Sequence, residues 1–131
     1  MTTPPGSPPS RSCTTLYKLL HPDEYAAISL STPYYGTPLD LSTGYHHLSV
    51  SLHIPYVLAA HFKSVDEIWI LAIPRQGVEE RIVWRREVVD GVEESVESVS
   101  VVGAIDPLGE VALRRKCTRL DGEWDLGELL W

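Results

Sequence analysis

Alternating apolar and polar residues in the second half of the chain restrict its fold more than any other feature. Three segments alternate in this way, "RIVWRREVV" at 81–89, "SVESVSVVGAI" at 95–105 and "EVALRRKCTRL" at 110–120, and the apolar run "DEIWILAIP" at 66–74 before them is predicted to be a buried strand. Short runs with turn residues separate them, around Gly77, in "DGVEES" and in "DPLG". Strands joined by short turns pair antiparallel, so this half predicts an antiparallel sheet.

The first half of the chain combines a strand with short helices. "TTLYKLL" at 14–20 is a β-prone run, and residues 24–27 after Pro22 can form a short helix. In "SLHIPYVLAAHFK" at 51–63 the apolar residues have helical spacing, with Pro55 expected in the first turn. Residues 30–44 contain two prolines and two glycines and are predicted to be a loop. The order of elements predicts an α+β domain with two or three short helices.

The composition changes near residue 12 and marks a domain boundary. Residues 1–12 are rich in Pro, Ser and Thr and lack periodic apolar residues, which predicts a flexible tail. Residues 13–131 are predicted to form a single globular domain, because 131 residues suit one core. We expect the tail to be dispensable for folding, since it adds no apolar surface to the core.

Charge and cysteine content restrict the partners and the compartment. The formal net charge of −7 disfavours nucleic acid and anionic membrane surfaces as partners. The two cysteines, Cys13 and Cys117, fit reduced thiols better than a disulfide framework. No apolar run has the length of a signal peptide core or a membrane span, so a cytoplasmic protein is expected. A small-molecule substrate is the expected partner, and a homodimer is left open.

The segment "STGYHHLSV" at 42–50 supplies the candidate site. Strand alternation places three residues on one polar, reachable face: Tyr45, His47 and Ser49. His46 falls on the opposite face with Leu48 and Val50, which is predicted to point into the core. His47 and Ser49 are therefore the candidate catalytic residues, whereas His46 needs a buried partner because an unpaired polar group in the core is costly.

The five histidines do not have the spacing of a metal site. No His-Glu-x-x-His pattern or facial triad is present, so we predict no metal. Ser49 lacks the glycine-flanked elbow that exposes a serine nucleophile, and glycine-rich phosphate loops are absent from the sequence. Spacing alone therefore indicates neither a metal nor a bound cofactor.

Several short motifs occur in the order typical of one small-domain family. They are "LYKL" at 16–19, "GYHHLS" at 44–49, "WILAIP" at 69–74, "IVWR" at 82–85, "SVSVVG" at 98–103 and "DGEW" at 121–124. In their order and spacing from about Leu16 to Leu126 they resemble the domain of unknown function 952 family. Its members typically carry "IYHI", "GFIHLS", "LLEID", "VRWE", "FPHIYG" and a late "DG.F". The collinearity of these motifs carries the resemblance.

The resemblance implies an ADP-ribosyltransferase-like fold, a small split antiparallel sheet around a cleft that holds NAD in related superfamilies. His47 and Ser49 match polar motif positions of the family. The chain departs from the family at three others, where Lys18 and Ser100 replace histidines and Arg85 replaces a glutamate. A carboxylate would stabilise the positive charge that develops when NAD is cleaved, so Arg85 weakens that activity if it faces the cleft.

Three functions follow, in order of preference. The first is a small enzyme that acts without a cofactor on a small organic metabolite. His47 is its expected acid or base, Ser49 is expected to orient His47 or the substrate, and Lys18 or Arg85 to stabilise an enolate or carboxylate. The second is a non-catalytic binding or interaction module with a relic cleft, and the third is NAD-dependent ADP-ribosyl transfer. The candidate substrate-binding residues are Lys18, Tyr34, Tyr35, Tyr45, Arg85 and Ser100.

Overall fold

Seven strands in the described residues form two antiparallel sheets. The structure is a computed structural model that describes residues 12–87 and 96–131. The strands in chain order are β1 (Thr15–Leu20), β2 (Tyr45–Leu48), β3 (Glu67–Pro74), β4 (Ile82–Glu87), β5 (Val96–Val102), β6 (Leu113–Leu120) and β7 (Glu123–Asp125). One sheet has the order β1-β3-β6-β7 and the other β2-β5-β4. The α+β class and the antiparallel pairing are confirmed.

A single pair of backbone contacts links β1 to the segment that follows β2. The Tyr17 amide donates to the Ser49 carbonyl over 2.7 Å, and the Ser49 amide donates to the Tyr17 carbonyl over 2.8 Å. The two sheets therefore meet at the middle of β1, and together they form a curled antiparallel surface that is open beside this bridge.

Three short helices accompany the sheets: α1 (Pro22–Ala26), α2 (Pro38–Thr43) and α3 (Ile54–His61). The loop prediction for residues 30–44 is wrong at its C-terminal end, where α2 forms. Pro38 occupies the first turn, where a missing amide hydrogen costs little, and Thr37 caps the helix. Gly44 ends it with φ of 89°. The proline and glycine therefore mark the two ends of a helix.

Helix α3 contacts the body through one buried stripe. Ile54 and Leu58 are buried along it, and Phe62 follows one turn later. Pro55 lies in the first turn, as predicted. Leu52 and Tyr56, which share the apolar spacing in the sequence, are instead 49% and 57% exposed. No helix in the described residues is long and apolar enough to cross a membrane.

The core lies on both sides of the four-stranded sheet. On one side Tyr17, Ile70 and other residues pack against α3, and on the other side Leu16 and Ile73 pack against the three-stranded sheet. The C-terminal segment packs back on the body, as predicted, through Trp124, Leu126 and Trp131. The Trp131 indole donates to the hydroxyl of Ser12, the last residue of the predicted tail, over 2.9 Å. The rest of that tail and the predicted "DGVEES" turn lie outside the described residues.

Leu58→Ala should destabilise the protein by about 2–5 kcal/mol, because it leaves a cavity beneath α3 where the side chain is 3% exposed. Leu52→Ala removes the same atoms from a half-exposed position and should cost less than about 1 kcal/mol. Urea unfolding of both variants measures the difference. Equal losses would show that α3 is not anchored by its Ile54–Leu58 stripe.

Candidate functional site

A cleft of about 430 Å³ opens where β1, β2, α2 and α3 meet. Its volume is within the range of small-molecule sites. Four of the five histidines of the chain line it: His21, His47, His53 and His61. These residues are up to 40 positions apart, so their convergence is a property of the fold and not of any local spacing.

The alternation predicted for β2 is confirmed. His46 is fully buried, and Leu48 and Val50 are buried with it. His47 is half-buried and lines the cleft, as does the largely buried Ser49. The structure therefore places both candidate catalytic residues at one cleft.

Asp40 organises the polar base of the cleft. Its Oδ1 accepts a hydrogen bond from the His47 amide over 3.0 Å, and its Oδ2 accepts one from the Thr37 amide over 2.9 Å. The Lys18 ammonium also donates to Oδ2 and forms a buried ion pair with Asp40. Gly36 makes room for this carboxylate, because a Cβ there would collide with it. One carboxylate thus ties together β1, α2 and β2.

Sequence analysis missed Asp40, although a local signal was present. Thr37 and Asp40 are three residues apart and form a capping box at the start of α2, with the Thr37 hydroxyl accepting from the Asp40 amide over 3.3 Å. This spacing predicts a helix start. It does not predict the partnership with Lys18.

The Lys18–Asp40 pair is almost completely buried, which sets the protonation of both groups. Burial by itself would raise the pKa of the Asp40 carboxyl, but the Lys18 ammonium and the His47 amide, which both donate to it, hold that pKa well below its usual range. Burial lowers the pKa of the Lys18 ammonium, and the charge of Asp40 opposes that effect. Lys18 is also 3.4 Å from the His47 carbonyl oxygen, so its ammonium is committed to the protein's own acceptors.

His46 fastens the loop before α2 to the core. Its Nε2 is 3.0 Å from the Tyr34 carbonyl oxygen, and because a carbonyl only accepts, Nε2 carries the hydrogen. Nδ1 is 3.6 Å from Asp40 Oδ2 and has no hydrogen-bond partner in the described part of the chain. His46 therefore serves the packing of the site from behind and does not reach the cleft.

The His47 ring is held from the side of α2. Its Nε2 is 3.0 Å from the Thr43 hydroxyl, and its ring centroid is 5.0 Å from that of Tyr45. With its amide fixed by Asp40, both the backbone and the ring of His47 are positioned. The ring is therefore held at the cleft with Nε2 within hydrogen-bond distance of α2.

The tyrosines among the predicted substrate-binding residues lie around the cleft and not in its lining. Tyr34 is half-buried, and burial followed by the charges of Asp40 and Glu24 raises the pKa of its hydroxyl. Tyr35 is 64% exposed. Tyr45 is half-buried beside His47.

Arg85 and Ser100 share the sheet face of His47, but neither lines the cleft. Arg85 is exposed, and its guanidinium stacks 4.2 Å above the Tyr45 ring and donates to the Tyr45 hydroxyl. Ser100 is buried opposite His47 on β5. Their roles toward a substrate stay predictions.

Several polar side chains that line the cleft can exchange hydrogen bonds and protons with a bound molecule. Within the described ranges, no three His, Cys, Asp or Glu side chains converge to hold a metal ion. The hydroxyl of Ser49 and the carboxylate of Glu24 share the cleft with His47. These groups can donate and accept hydrogen bonds and protons beside a bound organic molecule.

The described residues thus form a split antiparallel sheet with three short helices and a cleft lined by four histidines. The chain belongs to the family described as "Protein of unknown function (DUF952)", whose pattern matches residues 19–98. Its fold is similar to that of protein CC0527 from Caulobacter crescentus, in X-ray crystal structures of that protein and of a double mutant. In each comparison the TM-score is 0.69 and the identity 21%, over 86% of this chain and 95% of the other. No curated protein matches the chain.

Alanine substitutions of the two adjacent histidines should lower the stability by different amounts. His46→Ala should lower the free energy of unfolding by about 1–3 kcal/mol, because it leaves a void and an unpaired Tyr34 carbonyl. His47→Ala should cost less, since that ring is half-buried at the cleft. Thermal melting of both variants tests this, and the reverse order would contradict the strand register.

Asp40→Asn should lower the stability at neutral pH by about 3–5 kcal/mol, because it leaves the Lys18 ammonium buried without its counter-charge. The pKa of Asp40 is depressed in the folded state, so its contribution is complete above the ordinary carboxyl pKa of about 3.9 and is lost as the pH falls toward the lowered value. Urea unfolding from about pH 7 to pH 2 measures it. The variant should lack this part of the acid dependence.

Two controls accompany the Asp40 experiment. Asp23→Asn makes the same change at an exposed position of α1 and should leave stability nearly unchanged. Adding Lys18→Met to Asp40→Asn should recover part of the loss, because the unpaired charge is removed. A double variant as unstable as the sum of its single changes would contradict the ion pair.

Proposed function

We propose that the protein is a small enzyme that acts on a small organic molecule by acid–base catalysis, with His47 as the proton-transferring group. The observation that carries the proposal is the way His47 is held at the cleft. Its amide is bonded to Asp40 and its Nε2 lies 3.0 Å from Thr43, so the imidazole is oriented before a substrate arrives. An oriented imidazole is the usual means of moving a proton near neutral pH.

Ser49 takes a positioning role in this proposal. Its backbone is bonded in both directions to Tyr17, which holds the residue at the junction of the two sheets. Its side chain lines the same cleft as His47, so its hydroxyl can hydrogen-bond a carbonyl or hydroxyl group of the substrate. Lys18 and Arg85 are given no direct role, because the first is paired with Asp40 and the second contacts Tyr45.

The second candidate is a binding module without catalysis. It is supported by the internal bonding of the polar base, where Lys18 and Asp40 satisfy each other and His46 bonds the Tyr34 carbonyl. Such a network can serve stability alone. The two candidates differ in whether a molecule that binds in the cleft is also converted.

We also propose that the split sheet is of the ADP-ribosyltransferase-like type, and we place NAD cleavage third among the activities. The fold proposal is supported by two antiparallel sheets that meet beside the cleft. Arg85 stands where the resemblance places the family's glutamate, so the carboxylate that would stabilise the positive charge of NAD cleavage is missing at that position, and the guanidinium itself lies outside the cleft lining. Fold likeness alone does not supply a reaction.

The test is conversion of a metabolite library by the protein and by His47→Gln, followed by mass spectrometry. Glutamine keeps a hydrogen-bonding group near Thr43 but does not shuttle protons, so turnover should fall by about 100- to 10,000-fold with the melting temperature unchanged. NAD is included, and nicotinamide release should stay at background.

Each alternative gives a distinct result in this experiment. Molecules that bind without being converted would replace the enzyme proposal with the binding module. Nicotinamide release above background would favour NAD cleavage, and full activity of His47→Gln would remove His47 from the mechanism.

A further inference from the structure

The permanent charges of the side chains that line the cleft nearly cancel, with a small negative excess. Among its lining residues in the described chain, Lys18 is the one lysine or arginine, and Asp40 neutralises it. Glu24 also lines the cleft and is half-buried, with Oε1 accepting from the His21 amide over 2.9 Å. With the histidines counted as neutral, the permanent charge of the lining is therefore −1, from Glu24.

The remaining walls of the cleft are apolar and partly aromatic. Tyr56 and Leu39 are 57% and 58% exposed and lie at the cleft from α3 and α2. Phe62 and Val57 line it as well, and the Phe62 ring lies 4.4 Å from that of His21. Exposed apolar side chains that gather at a concave surface gain free energy when an apolar ligand body covers them.

We propose that the cleft selects organic molecules with an apolar, ring-bearing body and a neutral or positively charged polar end, and that it rejects carboxylates and phosphates. This inference names the class of molecule that the proposed enzyme would act on. It rests on the proposed function only in calling the bound molecule a substrate. The apolar body covers the Tyr56 and Leu39 side, while the polar end meets Glu24, Ser49 and His47.

The exclusion of anions follows from the paired state of Lys18. A phosphate or carboxylate in the cleft would need a cation to replace its hydration, and the ammonium of Lys18 is held by Asp40 and lies near the His47 carbonyl. The carboxylate of Glu24, which lines the same cleft, would repel a second negative charge there. NAD, with two phosphates, falls in the rejected class for this reason independently of Arg85.

A matched series of three probes tests the charge preference: phenethylamine, phenylpropionamide and phenylpropionate. They share a phenyl ring on a short chain and differ in the charge of the polar end. Titration calorimetry is done near pH 8, where histidine side chains are ordinarily neutral. The amine and the amide should each bind at least about tenfold more tightly than the acid, and NAD should not bind at about 1 mM.

Two variants locate the effect in the cleft. Glu24→Gln keeps an oxygen that can accept from the His21 amide, and it should reduce the affinity for the amine several-fold while leaving that for the amide unchanged. Glu123→Gln removes the same charge from β7, outside the cleft lining, and should change neither affinity.

Tighter binding of phenylpropionate, binding of NAD, or no binding of the amine and the amide would each overturn the inference. An affinity for the amine that Glu24→Gln leaves unchanged would also overturn it. Failure of the proposed function is a separate result: probes that bind in the expected order, in a protein that converts no metabolite, leave the inference standing and remove the enzyme. Conversion of an anionic metabolite through His47 would support the enzyme and overturn the inference.

Discussion

The buried ion pair between Lys18 and Asp40 holds the site together. Two charges in a nearly dry environment are tolerable only when they neutralise each other and the remaining oxygens find donors. Asp40 meets this condition by accepting from the amides of Thr37 and His47 as well as from Lys18. Because those three donors belong to β1, to the start of α2 and to β2, satisfying one carboxylate fixes the relative position of three elements. The relative position of these three elements in turn sets the shape of the cleft.

The same pairing decides what the cleft offers to a ligand. An ammonium that points at a substrate would favour the binding of anions. Here the ammonium of Lys18 is instead paired with Asp40 inside the protein. What remains at the cleft are imidazoles, the hydroxyls of two serines and a threonine, one carboxylate and apolar walls. This combination separates the rigid polar base, which positions His47, from the apolar side, which can receive the body of a molecule. The chemistry is therefore concentrated on His47 and its neighbours.

Membership of the family and likeness to CC0527 establish the fold of the chain and leave its chemistry to its own residues. Arg85 illustrates the difference. It occupies a strand position on the same sheet face as His47, yet its guanidinium stacks on Tyr45 and lies outside the cleft lining. His46 is a second local departure, and its ring is used as a buried brace to the Tyr34 carbonyl. Both side chains therefore contact the protein itself, and neither lines the cleft.

The sequence by itself determined the strands β1 to β6, the helix that begins near Pro55 and the opposite orientations of His46 and His47. These features depend on a period of two or of 3.6 residues, which is local and can be counted along the chain. It also contained the Thr37–Asp40 signal for α2, although prolines and glycines at both ends of that helix suggested a loop. The tertiary structure alone decided that Lys18 pairs with Asp40, that Arg85 turns to Tyr45 and that four histidines share one cleft. The Lys18–Asp40 and Arg85–Tyr45 contacts join residues 22 and 40 positions apart, and no local period carries information about which distant side chains a fold brings together.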